Sequence, residues 1–316
     1  MYSVHTDGIH NSLHWIWRTH MAKLNKNLVT LARDGGGSFK TLNDRMKIAD
    51  RFAERLKRLN VQIRDAKNIK PRHIEMYIRS RQEEKISIRT LQNEMSAIRS
   101  ILRAAGKTIM ANPEHESLSN RALGIFGASR DGSKVAIPDS IYQSILEKVS
   151  VADKGAAAAM ELSRLLGLRT EETIQSVKSL KTWQKALQNG DEKVRIVFGT
   201  KGGRPRDTTI IERDRLISAV NNAIHITSEN NGRLINRPAL HLAIERYRNT
   251  VRDAGLVGKY APHSLRYAYT QDATKLHIKK GFSKEEVDAL VSMDLGHGDG
   301  RGRYVARVYN KLDPSQ

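Results

Sequence analysis

Four islands in the second half of the chain hold side chains able to do chemistry together. They are LLGLRTEE with Arg169, TKGGRPR with Lys201, PHSLRYAYT with His263 and Arg266, and LGHGDGRGRYVARVYN with His297, Tyr304 and Tyr309. Each arginine offers a planar, permanently charged fork that matches phosphate oxygens, a geometry lysine does not reproduce. Imidazoles take and give protons near neutral pH. A tyrosine, with an ordinary pKa of about 10, is a nucleophile at neutral pH only beside a group that accepts its proton. These types together suit displacement at phosphorus, where negative charge gathers on non-bridging oxygens and positive donors must meet it. Singly each island is weak, because GLR and H-x-x-R recur on helix surfaces. The last island poses the question of which tyrosine reacts.

In order and content the islands resemble the tyrosine recombinase (phage integrase) family. That family's first arginine stands in a GLR-x-x-E setting, as Arg169 does with Glu172, and its lysine lies at a β-hairpin turn, as Lys201 does in GTKGG. A H-x-x-R box follows, matched by His263 and Arg266, then LGH, matched by His297, and last a tyrosine. The resemblance implies a catalytic set of Arg169, Lys201, His263, Arg266, His297 and Tyr309 that cuts and rejoins DNA through a 3′-phosphotyrosyl link. The phosphoester broken is replaced by another, so the reaction needs no cofactor, and no metal is assigned. By the same resemblance His263 is the base and Lys201 the proton donor to the departing 5′-oxygen, while Glu172 orients Arg169 or caps a helix.

The tyrosine of the family comes about nine residues after the LGH histidine, whereas here Tyr304 lies 7 and Tyr309 12 residues on. Removing about three residues from the GDGRGR loop brings Tyr309 into register. A helical wheel at about 100° per residue gathers Tyr304, Val305, Val308 and Leu312 on one stripe and leaves Tyr309 at its edge. The expectation is that Tyr309 is the nucleophile and Tyr304 packs in the core, with Arg301 and Arg303 in a solvated loop. The tail NKLDPSQ is shorter than the C-terminal helix through which many family members engage a neighbouring subunit. Another surface, or residues 1–37, is expected to couple the subunits.

The elements that must position these residues are mostly helices. From Thr41 to Asn60 apolar residues fall at Leu42, Met46, Ala49, Phe52, Leu56 and Leu59, one helical face, with Thr41 and Asp44 resembling a capping pair. PRHIEMYIRSRQ predicts a second helix with Pro71 in its first turn, and Ser87 through Leu102 a third that Gly106 stops. GIFGASRDGSKVAIPD has turn formers and no period, so it reads as a linker. Beyond it a helix is expected from Asp139 and another over GAAAAMELSRLLGL. KVRIVFG and DTTII then form a hairpin with TKGGRPR as its basic tip. Helices resume with PALHLAIERYRNTVRDAG and HSLRYAYTQDATKL, followed by one opening at the capping box of Ser283 and Glu286. With the resemblance, the expected fold is mainly α with a small β-sheet, a helical (SAM-like) core-binding domain preceding a mixed α/β catalytic domain. The expected boundaries are 1–37 for an N-terminal extension, 38–128 for the DNA-binding domain, 129–137 for the linker and 138–316 for the catalytic domain.

Bulk properties agree with a polyanionic partner. The chain carries 54 Lys plus Arg against 34 Asp plus Glu, a net charge of +20, and the excess runs through both halves rather than a tail. Double-stranded DNA is the expected partner, bound by a homo-oligomer that is a tetramer in the synapse, with accessory DNA-bending or directionality proteins. With 0 cysteines, no disulfide or thiolate metal site is available. His10 and His14 have helical spacing but no third ligand. No apolar run reaches the roughly 18–20 residues of a membrane span, and the start lacks a secretory pattern, so the expected location is cytoplasmic. The rival readings are a type IB topoisomerase-like strand transferase and a non-catalytic DNA-binding regulator derived from a recombinase.

Overall fold

The structure, a computed structural model, describes residues 23–129 and 131–310; His10, His14 and the tail beyond Asn310 lie outside them. Two compact units divide the chain, Met1–Ser129 and Arg130–Gln316, each with its own apolar core. The described part of the first holds helices α1 (23–34), α2 (Phe39–Arg58), α3 (Pro71–Glu83) and α4 (Ile88–Ala104). The expected stripes become the core: Ala49, Phe52 and Leu56 of α2, Ile74 and Ile78 of α3, and Leu91, Met95, Ile98 and Leu102 of α4 are buried. Helix α2 begins two residues before the expected Thr41, because the Ser38 hydroxyl accepts from the Thr41 amide and is the true cap.

A single buried carboxylate ties three of these helices together. Glu94 of α4 accepts hydrogen bonds from Arg81 and Tyr77 of α3 at 2.8 Å each and from Arg51 of α2 at 2.7 Å. Burial alone would raise the pKa of this carboxyl, but Arg81 and Tyr77 outweigh it and hold it below the usual range. Glu94→Gln keeps the shape and removes the charge, leaving buried Arg81 with only the more exposed Glu84 carboxylate as counter-ion. We expect a loss of about 3 kcal/mol in the urea unfolding of this unit. Arg51→Gln, which removes the half-exposed partner, should cost under about 1 kcal/mol.

In the second unit follow α5 (Asp139–Ala152), α6 (Lys154–Leu166), α7 (Thr170–Gln175), α8 (Leu180–Gln188), strands β1 (Lys193–Ile196) and β2 (Arg206–Thr209), α9 (Arg213–Glu229), α10 (Leu240–Asp253), α11 (Ser264–Lys279), α12 (Lys284–Asp294) and α13 (Gly302–Tyr309). Helix α6 is the centre of the core. Its alanines let neighbouring backbones come close, and it packs on α5, α9 and α11. The strands pair antiparallel with Lys193 opposite Thr209 and Ile196 opposite Arg206, so Arg206, expected in the loop, belongs to β2. Helices α7, α8 and α9 were not anticipated. In α9 Leu216, Ala219, Val220, Ala223 and Ile226 keep the three-and-four spacing of a buried face, with Asn221 and Asn222 exposed. The class is the expected one, mainly helical with a small sheet.

Candidate active site

Helix α6 ends at Gly167, whose left-handed backbone (φ 57°) turns the chain against Tyr269; a Cβ there would stand 2.6 Å from that ring. The turn delivers Arg169 to the N-cap of α7. Glu172 reaches back, accepting from the Arg169 amide at 2.9 Å and from its guanidinium at 2.6 Å. The same carboxylate accepts from Arg206 of β2 at 2.9 Å and lies 3.9 Å from Arg266 of α11. Three guanidinium groups thus surround one fully buried carboxylate, and cationic charge is in excess. Burial would raise the carboxyl of Glu172, yet Arg206, Arg266 and Arg169 hold it at about 2.

Arg266 is fully buried and donates to the carbonyls of Gly167 and Leu295. Arg169 shares the Leu295 carbonyl at 3.3 Å. Burial, with Arg169 and Arg206 beside it, pushes Arg266 down to about 9, still well above neutrality. The guanidinium groups are therefore fixed by backbone carbonyls before any anion arrives, the preorganisation that electrostatic catalysis requires.

Over this cluster stands Tyr309, the last residue of α13. Its hydroxyl lies 3.4 Å from Nε2 of His263, at the N-cap of α11, and 3.4 Å from Nε2 of His297, in the turn after α12. A phenol carries one proton, so it can donate to only one imidazole while the other donates to it. Both contacts are long, as is common before substrate binds. The Tyr309 ring rests on Tyr267, with centroids 4.8 Å apart, and Arg266 lies 5.7 Å from its centre. Lys201 stands on the exposed hairpin tip, and its charge contributes to depressing His297.

The two tyrosines exchange their expected environments. Tyr304 is 38% exposed, with its ring edge on His297, whereas Tyr309 is 6% exposed and part of the core. On the helix that forms, Gly302, Val305, Val308 and Tyr309 make the buried arc and Tyr304 falls just outside it. The expected stripe was centred a fraction of a turn away, because sequence does not show how the glycine loop aims the helix.

Both histidines are neutral at pH 7. Burial first, then Arg266 and Arg169, lower His263 to about 4 and His297 to about 3. In the unfolded chain each titrates near 6.5, so between pH about 6.5 and about 4 the unfolded state binds protons that the native state refuses, and stability falls as pH falls. Thermal midpoints measured from pH 7.5 to 5 should drop more steeply in the wild type than in His263→Gln/His297→Gln. Equal slopes would contradict this.

The family model described as Integrase matches residues 124–272, and the one described as Phage integrase, N-terminal, matches residues 21–111. The chain belongs to the integrase family of tyrosine recombinases. Among solved structures, this integrase is similar to a segment of the Tn1549 transposon integrase in complex with transposon right end DNA, with a TM-score of 0.55, 12% identity, and coverage of 91% of this chain and 96% of that one. It is also similar to lambda integrase, as a tetramer bound to a Holliday junction (TM-score 0.53, 17% identity, 92% and 79% covered) and as a dimer bound to a COC′ core site (0.54, 16%, 94% and 80%). Those likenesses establish the fold. No protein of curated function matches the sequence.

Three residues that pack at this integrase's site were not identified from sequence: Arg206 fell within the basic tip TKGGRPR, and neither Tyr267 nor Asp294 was singled out. No helix among the described residues is long and apolar enough to cross a membrane.

Proposed function

We propose that this integrase is a site-specific DNA recombinase in which Tyr309 attacks a backbone phosphorus and forms a 3′-phosphotyrosyl intermediate. The observation that carries the reading is the Tyr309 hydroxyl set between two neutral imidazoles beside three converged guanidinium groups. His263 takes the phenolic proton as the Tyr309 oxygen bonds to phosphorus. Arg169 and Arg266 bind the non-bridging oxygens, with Arg206 holding Glu172 and so the orientation of both. His297 donates a further hydrogen bond. Lys201 protonates the 5′-oxygen as the P–O bond breaks, and reversal of these steps on a new 5′-hydroxyl reseals the strand. Residues 38–128 form the DNA-binding domain, 129–137 the linker and 138–316 the catalytic domain. The net charge of +20 suits double-stranded DNA, and the tetramer and dimer complexes of lambda integrase support a homo-oligomer working on paired sites.

The test is a nicked duplex carrying the recombination site, in which a short fragment diffuses away after cleavage and traps the adduct. We expect a denaturant-resistant protein–DNA band and a released 5′-hydroxyl that polynucleotide kinase labels directly. A released 5′-phosphate, or binding without an adduct, would overturn the proposal.

A further inference from the structure

Asp294 is fully buried at the end of α12 and is not among the groups assigned to the reaction, yet it touches the hairpin at several points. Its carboxylate accepts from the Thr209 amide at 3.2 Å and from the Thr209 hydroxyl at 2.9 Å. It also lies 3.8 Å from Lys193 Nζ of β1 and 3.4 Å from Nε2 of His277, which is buried in α11. Its backbone carbonyl accepts from Thr208 at 3.1 Å and from Arg206. Tyr269 of α11 closes the network by donating to the Thr209 carbonyl at 3.0 Å. A buried carboxylate is expensive unless its lone pairs are filled, and here two of the partners belong to the root of β2.

The next residues along the chain are the reason this anchorage matters. Leu295 supplies the carbonyl shared by Arg169 and Arg266. Gly296 follows with φ 68°, where a Cβ would stand 2.7 Å from the Arg206 side chain, and then comes His297. Residues 294–297 therefore join the hairpin root to the arginine cluster and to one imidazole. Lys201 has no comparable support, since it sits on the exposed tip of the same hairpin.

We infer that Asp294 is a positioning residue that anchors β2 through Thr209 and thereby holds the hairpin so that Lys201 reaches the departing 5′-oxygen. The inference rests on the proposed function for its catalytic consequence, but not for the anchorage itself. When the P–O5′ bond breaks, the electron pair goes to the oxygen and Lys201 gives it a proton. If sulfur replaces that bridging oxygen, a thiolate leaves and needs no proton.

The test compares Asp294→Asn, Thr209→Val and Thr209→Ser on an ordinary nicked duplex and on one with a 5′-bridging phosphorothiolate. Hydrogen exchange of amides 193–209 is measured on the same proteins. Asp294→Asn and Thr209→Val should speed exchange in the hairpin and slow cleavage of the ordinary duplex about 10²-fold, while cleaving the phosphorothiolate within a few-fold of wild type. Thr209→Ser, which keeps the hydroxyl, should behave as wild type. Equal slowing on both substrates by a folded variant would overturn the inference, because the defect would then lie in the arginine cluster. Wild-type rates on the ordinary duplex would also overturn it. If Asp294→Asn does not fold, Thr209→Val decides by the same criteria. If the wild type forms no adduct, the proposed function falls and the exchange measurement alone decides: unchanged hairpin exchange overturns the anchorage.

Discussion

Tyr309→Phe should abolish the covalent adduct, a loss of at least about 10³-fold and down to the detection limit, because the attacking oxygen is gone. The ring should stay where it is. It is held by Tyr267 and by the α13 core residues Val305 and Val308, and phenylalanine makes those contacts equally well. Folding and DNA binding should therefore match the wild type. Tyr304→Phe removes a hydroxyl from a side chain that is 38% exposed and touches His297 only through its ring, and cleavage should remain within a few-fold. The contrast is informative because the two tyrosines lie within one short helix, so a merely structural disturbance of α13 would lower both.

Arg266→Lys should lower the cleavage rate about 10²–10³-fold, the loss expected for one preorganised donor to a developing oxyanion. Charge is conserved in this variant, so the loss measures geometry. A guanidinium spans the carbonyls of Gly167 and Leu295 while still facing Tyr309; a single ammonium cannot satisfy both carbonyls and the phosphate. Each carbonyl would keep only its longer bond of 3.3 Å, Gly167 from Arg206 and Leu295 from Arg169, so the loss of stability should be small, about 1 kcal/mol, visible as a lowered unfolding midpoint. DNA affinity, spread over many phosphate contacts, should change little. A variant that cleaves at the wild-type rate would show that the buried fork is structural.

Much of this arrangement was legible before any coordinates. The helices of the first unit follow from apolar residues three and four apart. The hairpin follows from two short β-branched runs flanking a glycine turn. Arg169, His263, Arg266, His297 and Tyr309, which are widely separated in sequence, are brought together around Glu172 and the Tyr309 hydroxyl. What sequence could not show depends on direction in space. The face that α13 buries is set by how the loop from Gly296 to Gly302 aims it, so Tyr304 and Tyr309 exchanged environments. Arg206 and Asp294 are charged residues with no apolar pattern of their own; their burial becomes intelligible only when Glu172 and Thr209 stand opposite them. Helix α9 was legible in principle, since Leu216, Ala219, Val220, Ala223 and Ile226 keep the three-and-four spacing and only Thr227 adds a polar residue to the stripe.

The most direct measurement is the identity of the amino acid left attached to DNA. Trypsin cuts after Arg303, Arg307 and Lys311, so it separates the peptide Tyr304–Arg307 from the peptide Val308–Lys311. Digesting the trapped adduct with nuclease and trypsin leaves a phosphonucleoside on one peptide, which mass spectrometry identifies. The modification is predicted on Val308–Lys311, at Tyr309. Finding it on Tyr304–Arg307, or on any peptide from another part of the chain, would contradict the assignment of Tyr309 as the nucleophile.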